Sequence, residues 1–175
     1  MINSHVILLG YMGCGKSTIA SKLSSIIDIP FIDLDKYIEK EYGMTISEIF
    51  HSMGEIKFRN IEKNTLEKLL NQKEKTIFSL GGGTPCYYDN MKLILNFSEN
   101  VFFINTSINV LVNRLFNEKE SRPIIKSINN TNQLKEFISK HLFERIIFYN
   151  KSNHTIKDDD YSVDKICNLI LKKLI

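Results

Sequence analysis

The chain has 175 residues, a net charge of +3 and 25% charged residues, the balance of a single ordinary globular domain spanning 1–175. It carries no basic stripe of the kind nucleic acid needs and no apolar stretch near the ~18 residues of a membrane-spanning helix. Cys14, Cys86 and Cys167 form an odd set without CxxC spacing, which argues against a disulfide or zinc framework. Met1–His5 shows no signal-peptide pattern, so a cytoplasmic protein is expected.

The first apolar run, Val6-Ile7-Leu8-Leu9, reads as a buried strand. Gly10-Tyr11-Met12-Gly13-Cys14-Gly15-Lys16-Ser17-Thr18 follows it and matches G-x-x-x-x-G-K-[ST] in full. The next segment, with Ile19, Leu23 and Ile26 assigned to one face, reads as an amphipathic helix. Strand, Gly-rich turn and helix together make a phosphate cradle. Several N–H groups point at one anion, and the helix N-terminus adds its positive dipole end. Lys16 can reach the β- and γ-phosphates, and the Ser17 hydroxyl can ligate Mg²⁺.

Phe31-Ile32, after Pro30, forms a short second strand with Asp33 and Asp35 at its carboxyl end. Residues two apart in an extended segment point the same way, so both carboxylates can face the phosphates. One could act through Mg²⁺ or its waters. The other could accept a proton from a substrate hydroxyl, or either could simply cap the next helix. Thr45-x-x-Glu48 is a capping box opening a short helix that Gly54 can end. From Glu55 to about Asn71 a longer helix carries Phe58, Ile61, Leu66, Leu69 and Leu70. Arg59 and Glu62, three apart, share its face. Taken alone, that is a common surface pair of little worth.

Thr76–Leu80 is a third strand, and Gly81-Gly82-Gly83 follows it. Three glycines in a row cost chain entropy, and they make sense where backbone approaches a ligand closely or turns with positive φ. Tyr87-Tyr88 is expected to pack at a helix start. Val101–Ile104 is the fourth strand. A helix capped by Thr106 or Ser107 then carries Val110, Leu111 and Leu115. Asn117–Asn132 is polar, aperiodic and contains Arg122-Pro123, the character of a mobile lid over about 117–131. Arg122 there could serve as an arginine finger in cis. Leu134–Phe148 is helical and carries Arg145. Thr155-Ile156 is a fifth strand. Asp158-Asp159-Asp160 reads as a solvated turn, and a last helix starts near Val163. The four histidines lack ligand spacing and read as structural or surface residues. Strands alternating with helices point to an α/β fold with helices on both faces of a parallel sheet.

These blocks, taken in order, resemble shikimate kinase: Gly10–Thr18, Phe31–Asp35, Ile46–Phe50 with Gly54-Glu55, Phe58-Arg59 with Glu62, Gly81–Gly83, Arg122-Pro123 and Arg145. The resemblance covers essentially the whole chain. It implies a P-loop kinase of three-layer α/β/α fold, with a five-stranded parallel sheet of order 2-3-1-4-5. It implies transfer of the ATP γ-phosphoryl to the 3-hydroxyl of shikimate on the route to chorismate, in a monomer using Mg²⁺. Lys16, Asp35 and Arg122 would be catalytic. Gly13, Cys14, Gly15, Lys16, Ser17, Thr18, Arg114 and Arg122 would bind ATP, with Arg114 near the adenine. Asp35, Phe58, Arg59, Gly81, Gly82, Gly83 and Arg145 would bind shikimate, with 33–62 as the substrate-binding region. Glu62 would fix Arg59, and Ser17 and Asp33 would serve the metal. A kinase for another anionic polyol such as gluconate, or an inert regulatory relative, is the alternative. The chain departs from the family pattern at Asn150 after Tyr149, where many members carry arginine. It departs again at Asn105, where a carboxylate could stand, and at Cys14, in place of the usual serine. A thiol near a helix N-terminus tends toward thiolate, so Cys14 is also expected to be open to oxidants.

Overall fold

A computed structural model describes residues 2–119 and 122–174; positions 120 and 121 of the expected lid therefore lie outside the described residues. The strands are β1 (Val6–Leu9), β2 (Phe31–Asp33), β3 (Ile77–Ser79), β4 (Asn100–Thr106) and β5 (His154–Asp158). They form one sheet of order β2-β3-β1-β4-β5, and every neighbouring pair is parallel. The helices are α1 (Lys16–Ile27), α2 (Leu34–Tyr42), α3 (Ile46–Leu70), α4 (Asn90–Phe97), α5 (Ile108–Asn117), α6 (Thr131–Tyr149) and α7 (Val163–Leu171).

Continuous apolar strands are what a sheet covered on both faces requires. Successive residues of β1 point to opposite faces. Val6 and Leu8 enter a core shared with α1, α5, α6 and α7, while Ile7 and Leu9 enter one shared with α2, α3 and α4. Phe102 and Ile104 join the first core, and Val101 and Phe103 the second. Each fully buried aliphatic or aromatic side chain contributes roughly 1.5–3 kcal/mol. The three-layer arrangement therefore follows from strand alternation alone.

Details depart from the sequence expectations for local reasons. Ile26 is 46% exposed, and Ile27 packs on the core instead, because the α1 stripe advances in steps of four through Ile19 and Leu23. The capping box at Thr45 and Glu48 is present in full. Gly54 does break the helix, with φ 78° and ψ 165°, but α3 resumes at once and runs on as one kinked element. In the expected lid, a 3₁₀ turn at Pro123–Ile125 drops Ile125 into the core, fully buried, so that segment is pinned at one point. Asp158 is not in a solvated turn. It is the last residue of β5, fully buried, accepting from Thr106 Oγ1 at 2.8 Å, Arg114 at 3.0 Å and the Tyr161 amide at 2.9 Å. A buried carboxylate persists when its acceptor positions are filled in this way. Only Asp159 and Asp160 face solvent.

Candidate active site

The carboxyl ends of β1, β2 and β3 open into one cleft, the position at which parallel α/β sheets receive ligands. The cleft has a volume of about 290 Å³, and Gly13, Gly15, Lys16, Ser17, Thr18, Asp33, Asp35, Gly81, Gly82, Glu118 and Arg122 all line it. Gly13 and Gly15 have φ of 78° and 87°, which side chains with a Cβ rarely adopt, so the loop curl after β1 depends on them. Lys16 lies folded over the loop, donating to the Gly10 carbonyl at 2.9 Å and the Tyr11 carbonyl at 3.0 Å. Cys14 is 1% exposed, its sulfur 3.6 Å from the Lys16 ammonium; burial closes it to oxidants, contrary to the expectation from its place near a helix end.

Asp33 takes the capping role left open for it. One oxygen caps α2 by accepting from the Lys36 amide at 3.2 Å, and the other accepts from the Ser17 hydroxyl. Two hard oxygen donors thus stand together at the root of the P-loop. Mg²⁺ favours such donors and commonly takes one or two from the protein and the rest from phosphate and water. The residues present fit that ion. Among the described residues no cluster of three His, Cys, Asp or Glu side chains forms a self-sufficient metal site.

Strand alternation is not what turns Asp35 to the cleft. β2 ends at Asp33, and Asp35 already belongs to the first turn of α2. A helix N-terminus lowers a carboxyl's pKa, yet here burial wins. Burial, then Glu62 and Asp33, push Asp35 up to about 7 against the pull of Lys16.

Gly81 and Gly83 leave room for functional side chains, and Gly82 for the backbone of the P-loop. A Cβ on Gly81 would stand 2.7 Å from Asp35 Oδ1, one on Gly82 3.3 Å from the Met12 amide nitrogen with Arg145 at an ordinary 3.6 Å, and one on Gly83 2.8 Å from Arg59. None of the three has a positive φ, so close approach, and not a special turn, is the reason for the triplet. Arg59 is 9% exposed and Glu62 1% exposed, joined at 2.8 Å. The pair is therefore no surface ornament. Burial works against the Arg59 charge, but Glu62, with Tyr87 and Glu55, outweighs it and the guanidinium pKa is raised. Glu62 is held in turn by the Thr84 hydroxyl.

The remaining arginines are placed differently. Arg145 sits over the Tyr11 ring at 5.6 Å and has no carboxylate partner among the described residues. Arg122 lines the cleft while paired with Glu118 at 2.7 Å. Arg114 does not line it; both arms of its fork are engaged, by Asp158 and Asp160. Phe58, expected to wall a ligand ring, is 2% exposed and lies 5.0 Å from the Arg59 guanidinium, supporting that side chain within the core. Thr84, Tyr87 and Tyr149 escaped the sequence reading as site residues. Tyr149 is buried and donates to the Gly82 carbonyl, fixing the triplet, and Tyr87 stacks on Arg59 at 4.0 Å. No spacing rule signals them, because their partners are remote in sequence.

A family profile described as shikimate kinase matches residues 12–175. The chain belongs to the shikimate kinase family. Membership makes it a kinase, with the P-loop kinase fold and the strand order expected above. A shikimate kinase of Flavobacterium johnsoniae is 45% identical over 166 residues, 95% of this chain and 96% of that protein. The crystal structure of the Bacteroides thetaiotaomicron shikimate kinase superposes with a TM-score of 0.90 at 32% identity, covering 98% of each chain. The Acinetobacter baumannii shikimate kinase, solved in complex with shikimate, gives 0.86 at 26% identity over 97% of this chain and 92% of that one. Among the described residues no helix is long and apolar enough to cross a membrane.

Proposed function

We propose that the chain transfers the γ-phosphoryl of ATP to the 3-hydroxyl of shikimate, as a single-domain cytoplasmic monomer. The observation that carries this reading is the glycine triplet beside the P-loop cleft, whose residues lie next to Asp35, Arg145 and Arg59 in turn. Two arginine forks suit a carboxylate, and a carboxyl poised at about 7 suits an alcohol proton.

In this reading the triphosphate lies in the P-loop. Lys16 leaves the carbonyls of Gly10 and Tyr11 for the β- and γ-phosphates, and Arg122 leaves Glu118 for the transferring group. Gly13, Gly15 and Thr18 contribute backbone and hydroxyl contacts. Ser17 and Asp33 would hold Mg²⁺, which when bound neutralises charge developing on the phosphates. Arg59 and Arg145 grip the shikimate carboxylate, and Gly81–Gly83 lie against the ring. The 3-hydroxyl donates to Asp35, which takes the proton as the new O–P bond forms and the bond to the ADP oxygen breaks. Arg114 would contact the adenine while its fork stays paired with Asp158 and Asp160. Closure about Arg122, with Ile125 staying buried, excludes water, so that hydrolysis does not compete.

A coupled assay of ADP release with purified protein tests the reading. ADP release should depend on shikimate, with a kcat/KM far above that for gluconate. Equal release without shikimate, or a higher kcat/KM with gluconate, overturns it.

A further inference from the structure

Arg59 is the most constrained side chain of the acceptor wall, yet its ion pairs leave it incompletely held. Glu62 takes NH1 at 2.8 Å. Nε is buried and has no hydrogen bond among the described residues; the nearest carboxylate, Glu55, stands at 3.5 Å. That same Glu55 oxygen accepts from the Tyr87 hydroxyl at 2.7 Å. The Tyr87 ring meanwhile lies 4.0 Å from the centre of the same guanidinium, nearer than either phenylalanine ring beside it. One side chain therefore packs against the plane of Arg59 and also binds the carboxylate that stands beside its buried Nε.

We infer that Tyr87 is a positioning residue for the acceptor's carboxylate: its ring fixes the plane of the Arg59 guanidinium, and its hydroxyl keeps Glu55 from competing with the substrate for that arginine. This rests on the reading of Arg59 as a carboxylate clamp. The physical logic is preorganisation. A planar cation stacked on an aromatic face keeps its orientation while its edge remains free for a bidentate partner, and a loosened fork loses affinity through disorder. A neighbouring carboxylate released onto that fork is a built-in competitor of the same chemistry as the substrate.

The two halves of the inference separate experimentally. Tyr87→Phe keeps the ring and frees Glu55; shikimate KM should rise several-fold with kcat and ATP KM near wild type. Adding Glu55→Gln to Tyr87→Phe should restore most of the lost affinity, because the competitor is then neutral. Tyr87→Leu removes the ring as well and should raise shikimate KM further, to roughly tenfold, the order of a desolvated cation–π contact. Thermal melting of each variant reports folding. Shikimate KM within twofold of wild type in Tyr87→Phe overturns the hydroxyl's role, and the same result in folded Tyr87→Leu overturns the ring's. A rise in ATP KM equal to that for shikimate, a loss in kcat alone, or no recovery with Glu55→Gln also contradicts the inference. Direct calorimetric binding of shikimate to the wild-type protein separates this from the functional reading. If the wild type binds shikimate and the Tyr87 variants bind it equally, only the inference fails. If the wild type does not bind it, the functional reading fails.

Discussion

The two walls of the cleft hold their charges by different means. On the phosphate wall Lys16 rests on main-chain carbonyls, and Ser17 and Asp33 on each other. On the acceptor wall Arg59 and Glu62 hold each other, Thr84 from the segment after β3 holds Glu62, and Asp35 is buried near Glu62. Backbone geometry in one short segment is enough to cradle phosphate, which every nucleotide presents alike. Choosing one acceptor requires charges buried among partners, and those partners come from distant parts of the chain. Substitutions on the first wall should act locally, and those on the second should propagate.

The largest effect is expected at Asp35. Asp35→Asn should lower kcat by at least about 10²-fold if the carboxyl accepts the hydroxyl proton, with ATP KM changed little. Steady-state kinetics checks this, and near-normal turnover would remove Asp35 from the role. The same variant carries a stability signature. The Asp35 carboxyl is pushed up from 3.8 to about 7 in the folded protein, so the fold binds that proton more tightly than the unfolded chain does. Its contribution is present below about pH 4 and is lost as pH rises through about 7, so ligand-free stability should fall across that window. Urea titrations from pH 4 to 8 should show a shallower decline in Asp35→Asn than in wild type.

A buried charge outside the cleft provides the control. Asp158 is fully buried under Arg114, Thr106 and the Tyr161 amide, on the far edge of the sheet. Asp158→Ala leaves those donors without their acceptor and should cost about 2 kcal/mol in denaturant unfolding, while shikimate KM stays unchanged. A rise in shikimate KM as large as that in Arg59 variants would erase the distinction between structural and acceptor-binding charge. Arg59→Lys is expected to raise shikimate KM by roughly tenfold, since lysine keeps the charge but not the fork, and to leave ATP KM alone. An unchanged shikimate KM would place Arg59 outside acceptor binding.

The contrast between the walls also explains what could be read in the sequence. The P-loop is contiguous, and its glycines, lysine and serine carry their meaning in order, so its strand, turn and helix were all foreseeable. Asp33 and Asp35 were legible as a pair although the geometry behind them was not: the strand stops at Asp33, and α2 itself turns Asp35 inward. The glycine triplet was visible as a place of close approach, but what approached it was not. Arg59 and Glu62 looked like a surface pair until α3 packed them against Thr84 and Phe58. Tyr87 and Tyr149 gave no signal, since a tyrosine's partner depends on tertiary contact. Asp158 was misread because a run of three aspartates usually faces water, whereas here the first ends a buried strand.

The central claim is that the acceptor wall selects an alcohol by its carboxylate. Comparing kcat/KM for shikimate and for shikimate methyl ester, in wild type and in Arg59→Lys, tests it most directly, because the two acceptors share the same hydroxyls. The ester should lose at least about tenfold in the wild type, the worth of a charge-assisted fork, and much less in Arg59→Lys, where the fork is already gone. Equal kcat/KM for acid and ester in the wild type would contradict the claim.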